Sequence, residues 1–279
     1  MKYRVKTACA VTLLCMAACA TAGLSKAKTR VAKVLIPTEQ ENKLGLQVKQ
    51  QLETQEHITY YADTAVVDYV RRVADKVIMQ GRRERSDVQW QVNVIDAPKT
   101  VNAFATPGGY LYVYTGLLLA ADNEAELAGV MAHETGHVVG RHSARQMVDA
   151  YGLAAVSGII FGKNPGLLAQ VTSQVASKGV MLANSRSDET EADEYGARYA
   201  SAAGYDPRAL MTFFGKLKAL EGNTPGVLAI LSDHPTSAAR IAHLKQYIAT
   251  QRLRGTNTGV DAYTTIKQRL SAPTRQRAM

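Results

Sequence analysis

The strongest constraint on this chain is a short motif at residues 133–137, where the order is His-Glu-Thr-Gly-His. A capping-box pattern precedes it, so we expect one helix over residues 123–141. Histidines four residues apart lie on one face of a helix, one turn from each other, and both imidazoles can therefore reach one metal ion. The sequence thus predicts a zinc site with His133 and His137 as ligands and Glu134 beside the position left for water.

Glycines in the same helix predict a close neighbour. Gly129, Gly136 and Gly140 fall within a narrow arc beside the two histidines. Each glycine lowers the stability of a helix by about 1 kcal/mol relative to alanine. Close approach of a second element that carries the third ligand is one reason to accept this cost. Tight helix packing without a metal is the alternative.

The third ligand is expected from an acidic cluster at residues 188–194, which opens another helix. Glu189 and Asp193 share a face with small and apolar residues, and a buried carboxylate needs a partner because an unpaired buried charge is very costly. Zinc for Glu189 and a ligating histidine for Asp193 meet this need, so Asp193 joins the catalytic set. Glu191 lies on the opposite face, where we expect it to face solvent. The alternative is that these acidic residues only suit a helix N-terminus.

One more histidine, His142, is close in sequence to the pair. On a continuous helix it lies about 180° from His133, because each residue advances the helix by about 100°. We therefore predict a packing or surface role for His142 and reject it as a ligand.

The rest of the chain is mostly helical, with a small group of strands before the histidine helix. Helices are predicted at residues 39–55 and 63–79, and strands at residues 90–95, 101–105 and 110–114. Gly81 is expected to end the second helix. The tyrosines of the last strand alternate with Leu111 and Val113, which is typical of a half-exposed strand.

The first residues have the pattern of an export signal. A cationic start is followed by an apolar stretch at residues 7–20 and then by small residues. The segment that ends at Cys19 also resembles a bacterial lipobox, whose cysteine is lipidated, whereas ordinary cleavage after Ala20 or Ala22 is the alternative. All three cysteines lie within the first 19 residues, so the body of the chain has neither a disulfide nor a thiolate metal site.

Composition narrows the partners. The formal net charge is +9, and three of the positive residues lie in the predicted signal. This excess favours anionic surfaces such as membranes. Nucleic acid is not expected, because no dense basic block accompanies the charge. The sequence contains no apolar run of 18 residues, so we do not expect a membrane protein with several spanning helices.

Four segments together resemble the HtpX and CAAX-prenyl-protease family of zinc metallopeptidases. They are residues 133–137, 185–193, 102–109 and 234–240, and the resemblance covers about residues 40 to 250. It implies an α+β, mostly helical, zincin-like domain with a small antiparallel sheet beside the zinc-binding helix. The form predicted here is most similar to periplasmic members such as the beta-barrel-assembly-enhancing protease and to outer-membrane lipoprotein peptidases.

Carried over by position, the resemblance implies one Zn²⁺ per chain with His133, His137 and Glu189 as ligands. Glu134 is then the catalytic base, and Asp193 matches the aspartate that follows the glutamate ligand in this family.

Two residues near the C-terminal end of the predicted domain each have two possible roles. His234 belongs to the His-Pro motif and either approaches the metal, blocking or supplementing the water position, or caps a loop. Arg240 either stabilises an oxyanion or binds a carboxylate.

A strand is the predicted substrate site. Asn102, Ala103, Phe104 and Ala105 are expected to hold an extended peptide by β-augmentation, which recognises backbone more than sequence. Protein or peptide substrates of varied sequence would follow.

These predictions divide the chain into a signal peptide at 1–19, a basic linker at 20–39, a zinc metallopeptidase domain at 40–250 and a basic C-terminal tail at 251–279 with a short helix at 263–270.

The expected function is an exported zinc endopeptidase of the bacterial envelope that removes misfolded or misassembled proteins. It would act in the periplasm, either free or as an outer-membrane lipoprotein near the outer-membrane assembly machinery. A metal-bearing, chaperone-like peptide-binding module with little turnover is the alternative. A basic adhesion module is a third interpretation, but it leaves the buried acidic pair unexplained.

Overall fold

The histidine helix lies between a small sheet and a set of packed helices. The computed structural model describes residues 36–178, 184–220, 230–231, 234 and 238–271. The predicted signal peptide, with Cys19, lies outside the described residues. The helices are α1 Thr38–Thr54, α2 Thr64–Glu84, α3 Thr115–Ala120, α4 Glu124–Val139, α5 His142–Tyr151, α6 Leu153–Ile160, α7 Pro165–Lys178, α8 Arg186–Ala202, α9 Ala209–Leu220, α10 Ala238–Thr250 and α11 Val260–Ser271, and the strands are β1 Gln91–Ile95, β2 Ala103–Thr106 and β3 Tyr110–Tyr114. The mostly helical α+β fold is confirmed.

The sheet is mixed, whereas the sequence predicted an antiparallel one. Its strand order is β1-β3-β2. The tight connection at Pro107–Gly109 makes β2 and β3 antiparallel, with Ala103 opposite Val113. β3 inserts between the two earlier strands and therefore runs parallel to β1, with Gln91 opposite Tyr110.

The central strand is buried on both faces, which corrects the half-exposed strand predicted for residues 110–114. Leu111 and Val113 lie in the main core with α2 and α4. The three tyrosines lie in a second core, where α1, α6 and α7 cover them. The tyrosines and the aliphatic residues of this strand therefore lie on opposite faces of the sheet, and both faces are buried.

Helix α2 continues through Gly81 to Glu84, beyond the end predicted at that glycine. A side chain at position 81 would collide with its neighbours, since its Cβ would lie 2.5 Å from Cγ2 of Thr135 and 3.0 Å from the ring of Trp90. This glycine therefore permits close packing of α2 on α4 and does not end the helix.

Part of the segment predicted as a tail packs on the core. In α11, Tyr263, Ile266 and Leu270 are buried, and the Tyr263 hydroxyl donates to the carbonyl of Leu118 at 2.8 Å. Arg269 binds Asp63, the residue that caps α2, at 2.9 Å. Residues 260–271 therefore belong to the same packed unit as the histidine helix.

None of the helices in the described part of the chain combines the length and the apolar character that crossing a bilayer requires.

Candidate metal centre

The histidine pair lies on α4, a helix whose residues are all buried. The side chain of Asn123 accepts from the amide of Glu126 at 3.0 Å and so caps the N-terminus. The Nε2 atoms of His133 and His137 lie 3.0 Å apart, as expected for histidines one turn from each other. α4 ends at Val139, two residues before the predicted end.

Helix α8 brings Glu189 to the pair. Its Oε1 lies 3.3 Å from Nε2 of His137, and its Oε2 lies 3.5 Å from Nε2 of His133. Glycines permit this approach, because a Cβ on Gly136 would lie 2.8 Å from Cβ of Tyr195, and one on Gly196 would lie 3.2 Å from the amide nitrogen of His133. The close neighbour of Gly136 is thus α8, whereas Gly129 faces Leu210 of α9.

His234 is the fourth member of the cluster, although the residues after it at 235–237 lie outside the described part of the chain. Its Nδ1 is 3.2 Å from Nε2 of His133 and 3.0 Å from Oε1 of Glu189. The ring is buried. Of the two interpretations of this residue, the geometry places it at the donor group.

The four donors lie close enough together to share one metal ion. One ligand atom from each residue lies within 4.8 Å of the other three, and the Nε2 atoms of His133 and His137 are 3.0 Å apart, whereas zinc ligands about 2.0–2.1 Å from the ion are separated by about 3.3 Å in a tetrahedron. Three imidazole nitrogens and one carboxylate are also a donor set that zinc accepts. With His234 in place, all four positions are filled by protein.

Electrostatics favour the metal-binding forms of two of these groups, Glu189 and His137. Burial acts to raise the pKa of Glu189, but the charge of His234 and hydrogen bonds from the histidines hold it well below its usual value. Burial lowers the pKa of His137 well below its ordinary value. The carboxylate is therefore ionised and the His137 imidazole is neutral, as metal ligation requires.

Behind His133 lies Asp193, at 3.0 Å from Nδ1. Burial opposes the charged form of His133, but hydrogen bonds with Asp193 and then Glu189 raise its pKa to about 9. Arg240 donates to Asp193 from Nε at 2.7 Å and from Nη2 at 2.8 Å, and its Nη1 lies 2.7 Å from Oε2 of Glu189. Arg240 thus binds two carboxylates, the second of the roles proposed for it.

Behind His137 lies His142, and its contacts correct the helix angle assumed for His142 and the exposure predicted for Glu191. Nδ1 of His142 lies 2.7 Å from Nδ1 of His137, and its Nε2 lies 3.2 Å from Oε2 of Glu191. The angle argument against His142 assumed one continuous helix, but Arg141 has φ 56° and starts a new helix direction. Glu191, expected to face solvent, has a side chain only 15% exposed.

Gly140 is the residue from which the position of His142 could have been inferred. It is one of the three glycines from which close packing is predicted, but it follows the last residue of α4, where glycine often marks a helix end. A Cβ there would collide with the ring of His142, at 2.2 Å from its Nε2. The glycine leaves room for that ring.

Glu134 is buried in α4 beside this cluster, and its Oε1 lies 3.4 Å from Nε2 of His234. The carboxylate is therefore on the same side as the fourth donor, where a general base of this motif is expected.

The predicted substrate strand corresponds to β2 with Asn102 before it. β2 is at one edge of the sheet and contacts α4. Side chains already engage part of this edge, since Ser143 donates to the carbonyl of Ala105 at 3.1 Å and Asn102 accepts from the amide of Ala103 at 2.9 Å. Phe104 stacks on Tyr112 in the second core.

Comparison with known proteins agrees with this geometry. The family model of Peptidase family M48 matches residues 64–248. The chain is 37% identical to mitochondrial metalloendopeptidase OMA1 of Schizosaccharomyces pombe over 67% of this chain and 54% of that protein. It is 36% identical to metalloprotease LoiP of Escherichia coli over 56% of this chain and 62% of that protein. It is 30% identical to the beta-barrel assembly-enhancing protease of Escherichia coli over 58% of this chain and 35% of that protein.

The match thus spans about a third to two thirds of the length of these relatives. The family resemblance drawn from the motifs is confirmed. With the buried His133, His137 and Glu189 in place and a family model covering 64–248, the chain belongs to peptidase family M48.

Proposed function

We propose that this chain is a zinc-dependent endopeptidase. The observation that carries the proposal is the buried cluster of His133, His137 and Glu189, with the carboxylate of Glu134 next to it. The names of the relatives, which include a metalloendopeptidase and a metalloprotease, support the same activity.

The residues of the chain divide the work as follows. Zinc, when bound, supplies Lewis acidity that activates a water molecule near neutral pH and polarises the carbonyl of the peptide. Glu134 accepts a proton from the attacking water and passes it to the leaving amine. Asp193 holds the ring of His133 through Nδ1, and Arg240 holds Asp193 and Glu189 together.

The substrate is proposed to bind as an extended strand along β2. In an antiparallel pair the groups of alternate residues point away from the partner strand. The carbonyl of Asn102 accepts from the amide of Tyr114 on β3, so the backbone groups of Ala103 and Ala105 point to the outer edge. The amide of Ala103 and the carbonyl of Ala105 already bond Asn102 and Ser143, so the peptide is proposed to pair with the carbonyl of Ala103 and the amide of Ala105. Binding through backbone groups permits many sequences.

His234 is proposed to keep the site latent. Its Nδ1 occupies the fourth donor position and its Nε2 lies 3.4 Å from Glu134. A catalytic zinc site keeps one position open, so His234 has to withdraw before water and peptide can enter. His234→Ala is therefore expected to raise peptidase activity.

We place the protein in the bacterial envelope, where it would remove misfolded or misassembled envelope proteins. The export pattern at residues 1–19 and the name of the beta-barrel assembly-enhancing relative support this location. Lipidation at Cys19 would attach it to the outer membrane, near the outer-membrane assembly machinery. Labelling with a palmitate analogue should then mark the wild type and not Cys19→Ala, and an unlabelled wild type whose mature N-terminus is Thr21 or Gly23 would replace this anchor with a free periplasmic form.

The alternative, a metal-bearing peptide-binding module with little turnover, is favoured by one observation. All four donor positions are filled by protein, as in structural zinc sites. Casein digestion by the zinc-loaded wild type and by His234→Ala, each with and without a chelator, separates the two functions. Chelator-sensitive cleavage by either form supports the enzyme. If both forms bind zinc and neither cleaves casein, the peptide-binding module is the better explanation.

A further inference from the structure

His142 lies between a histidine of the metal site and two carboxylates. Its ring is fully buried. Nδ1 is 2.7 Å from Nδ1 of His137, and Nε2 is 3.2 Å from Oε2 of Glu191 and 4.0 Å from Oδ1 of Asp188. The ring thus contacts the back of one metal-site histidine while its far edge contacts acid.

The chain is shaped to put this ring there. Arg141 has φ 56°, a left-handed conformation that is unfavourable for a residue with a side chain. Buried contacts hold it in that conformation, since Nη2 of Arg141 lies 2.7 Å from Oε2 of Glu41 and also donates to the carbonyl of Ile36. Gly140 leaves the space that the ring of His142 fills. A turn fixed by residues about 100 positions away indicates a placement that matters for the site.

The direction of the hydrogen bonds follows from chemistry. Nε2 of His137 faces the donor group, 3.3 Å from Oε1 of Glu189. A neutral imidazole has one N–H, so when Nε2 of His137 binds metal its proton is on Nδ1. That N–H donates to Nδ1 of His142. His142 then carries its own proton on Nε2 and donates it to Glu191.

A second metal ion at His142, Asp188 and Glu191 is not the better explanation. The guanidinium of Arg145 already binds Asp188 and lies 4.0 Å from Glu191. This cation supplies the positive charge that the two carboxylates require. The group is therefore complete as an ion-paired support for His142.

We propose that His142 is a positioning residue for the metal site. It fixes His137 in the tautomer and ring orientation that bind the metal, and it links His137 to the carboxylate of Glu191. The proposal rests on the proposed zinc site, because it assigns a support to one of that site's ligands.

The test measures zinc affinity of the purified full chain by competition with a fluorescent chelator, with casein hydrolysis as the second readout. His142→Leu keeps the volume and removes both hydrogen bonds, and a 10- to 100-fold loss of zinc affinity is expected. His142→Asn keeps an acceptor near the position of Nδ1 but is smaller, and a smaller loss is expected. If the ring only fills space, the order reverses, because leucine fills the space better than asparagine.

Glu191→Gln completes a double-mutant cycle. On the wild-type background it should weaken zinc binding, whereas on the His142→Asn or His142→Leu background it should add no further loss, since the link through the ring is already broken. Where His142→Leu gives no folded protein, the cycle with His142→Asn provides the same test. His243→Asn is the matched control, because His243 is exposed and bonds Glu194 away from the donors.

The possible outcomes separate this inference from the proposed function. A wild type that binds no zinc would refute the zinc site itself. A wild type that binds zinc, with unchanged affinity in His142→Leu or with additive losses in the cycle, would refute only the role of His142.

Discussion

The two histidines of α4 are supported in different ways, although they lie one turn apart on the same helix. His133 contacts the carboxylate of Asp193 directly, and Arg240 holds that carboxylate. His137 contacts another imidazole first, that of His142, and a carboxylate only after it. We call these the direct support and the relayed support.

The difference follows from which helix supplies the residue behind each ring. Where His133 lies, the backbone of α8 almost touches α4, because a Cβ on Gly196 would lie only 3.2 Å from the amide nitrogen of His133. An aspartate on α8 therefore reaches the ring without a bridge. His137 lies in the last turn of α4, and the first residue of α5 bridges its ring to α8.

The direct support also serves two donors, because Arg240 contacts Glu189 as well as Asp193. The relayed support serves His137. We therefore expect damage to the direct support to weaken metal binding more than damage to the relayed support.

The comparison depends first on Glu189, the donor that contacts both histidines. Glu189→Ala should lower zinc affinity steeply and abolish peptidase activity, because three imidazoles remain but the one carboxylate of the cluster is lost and Arg240 keeps its charge beside the site. Metal analysis and casein hydrolysis on the purified variant check this. Glu194→Ala on the same helix is the matched control and should retain both. A zinc-loaded Glu189→Ala variant would remove the basis of both supports.

Glu134→Gln separates metal binding from catalysis. Activity should fall below detection while zinc stays near one ion per chain, since the base is removed and every donor of the cluster remains. Zinc content and casein hydrolysis are measured on the same preparation. Activity near that of the wild type, or an empty site, would contradict the role assigned to Glu134.

Asp193→Asn tests the direct support. The amide keeps the size of the side chain but loses the charge that faces His133 and Arg240. Zinc affinity is expected to fall about 10- to 100-fold, as for other partners of ligating histidines. Chelator competition gives the value, and circular dichroism shows whether the helices are retained. A smaller loss than that of Glu191→Gln would reverse the order of the two supports.

The sequence predicts the direct support and misses the relayed one for a physical reason. His133, His137, Glu189 and Asp193 lie on two regular helices, where the spacing of residues sets which side chains share a face. The position of His142 depends on a left-handed residue, Arg141, that a distant glutamate stabilises. No local pattern encodes that contact.

Two features of the fold show the same limit. The parallel pairing of β1 with β3 depends on which strand inserts between the others, and alternation within a strand does not indicate it. By contrast, the spacing of Tyr263, Ile266 and Leu270 does indicate an amphipathic helix. The basic composition of their segment favoured a tail, whereas these side chains are buried.

The smallest expected effect compares the two guanidinium groups that end the supports. Arg240 contacts the donor Glu189 directly, whereas Arg145 is separated from His137 by both Glu191 and His142. Arg240→Gln should therefore weaken zinc binding about 10- to 100-fold, and Arg145→Gln by less than about tenfold. Each change leaves a buried carboxylate without its cation, so both should lower the unfolding free energy of the zinc-free protein by a similar amount, about 3–5 kcal/mol. Urea unfolding of the zinc-free variants and chelator competition on the folded ones provide the two numbers. Equal losses of zinc affinity would show that the relay transmits as much support as the direct contact, and the distinction between the two sides of the metal site would then be one of geometry alone.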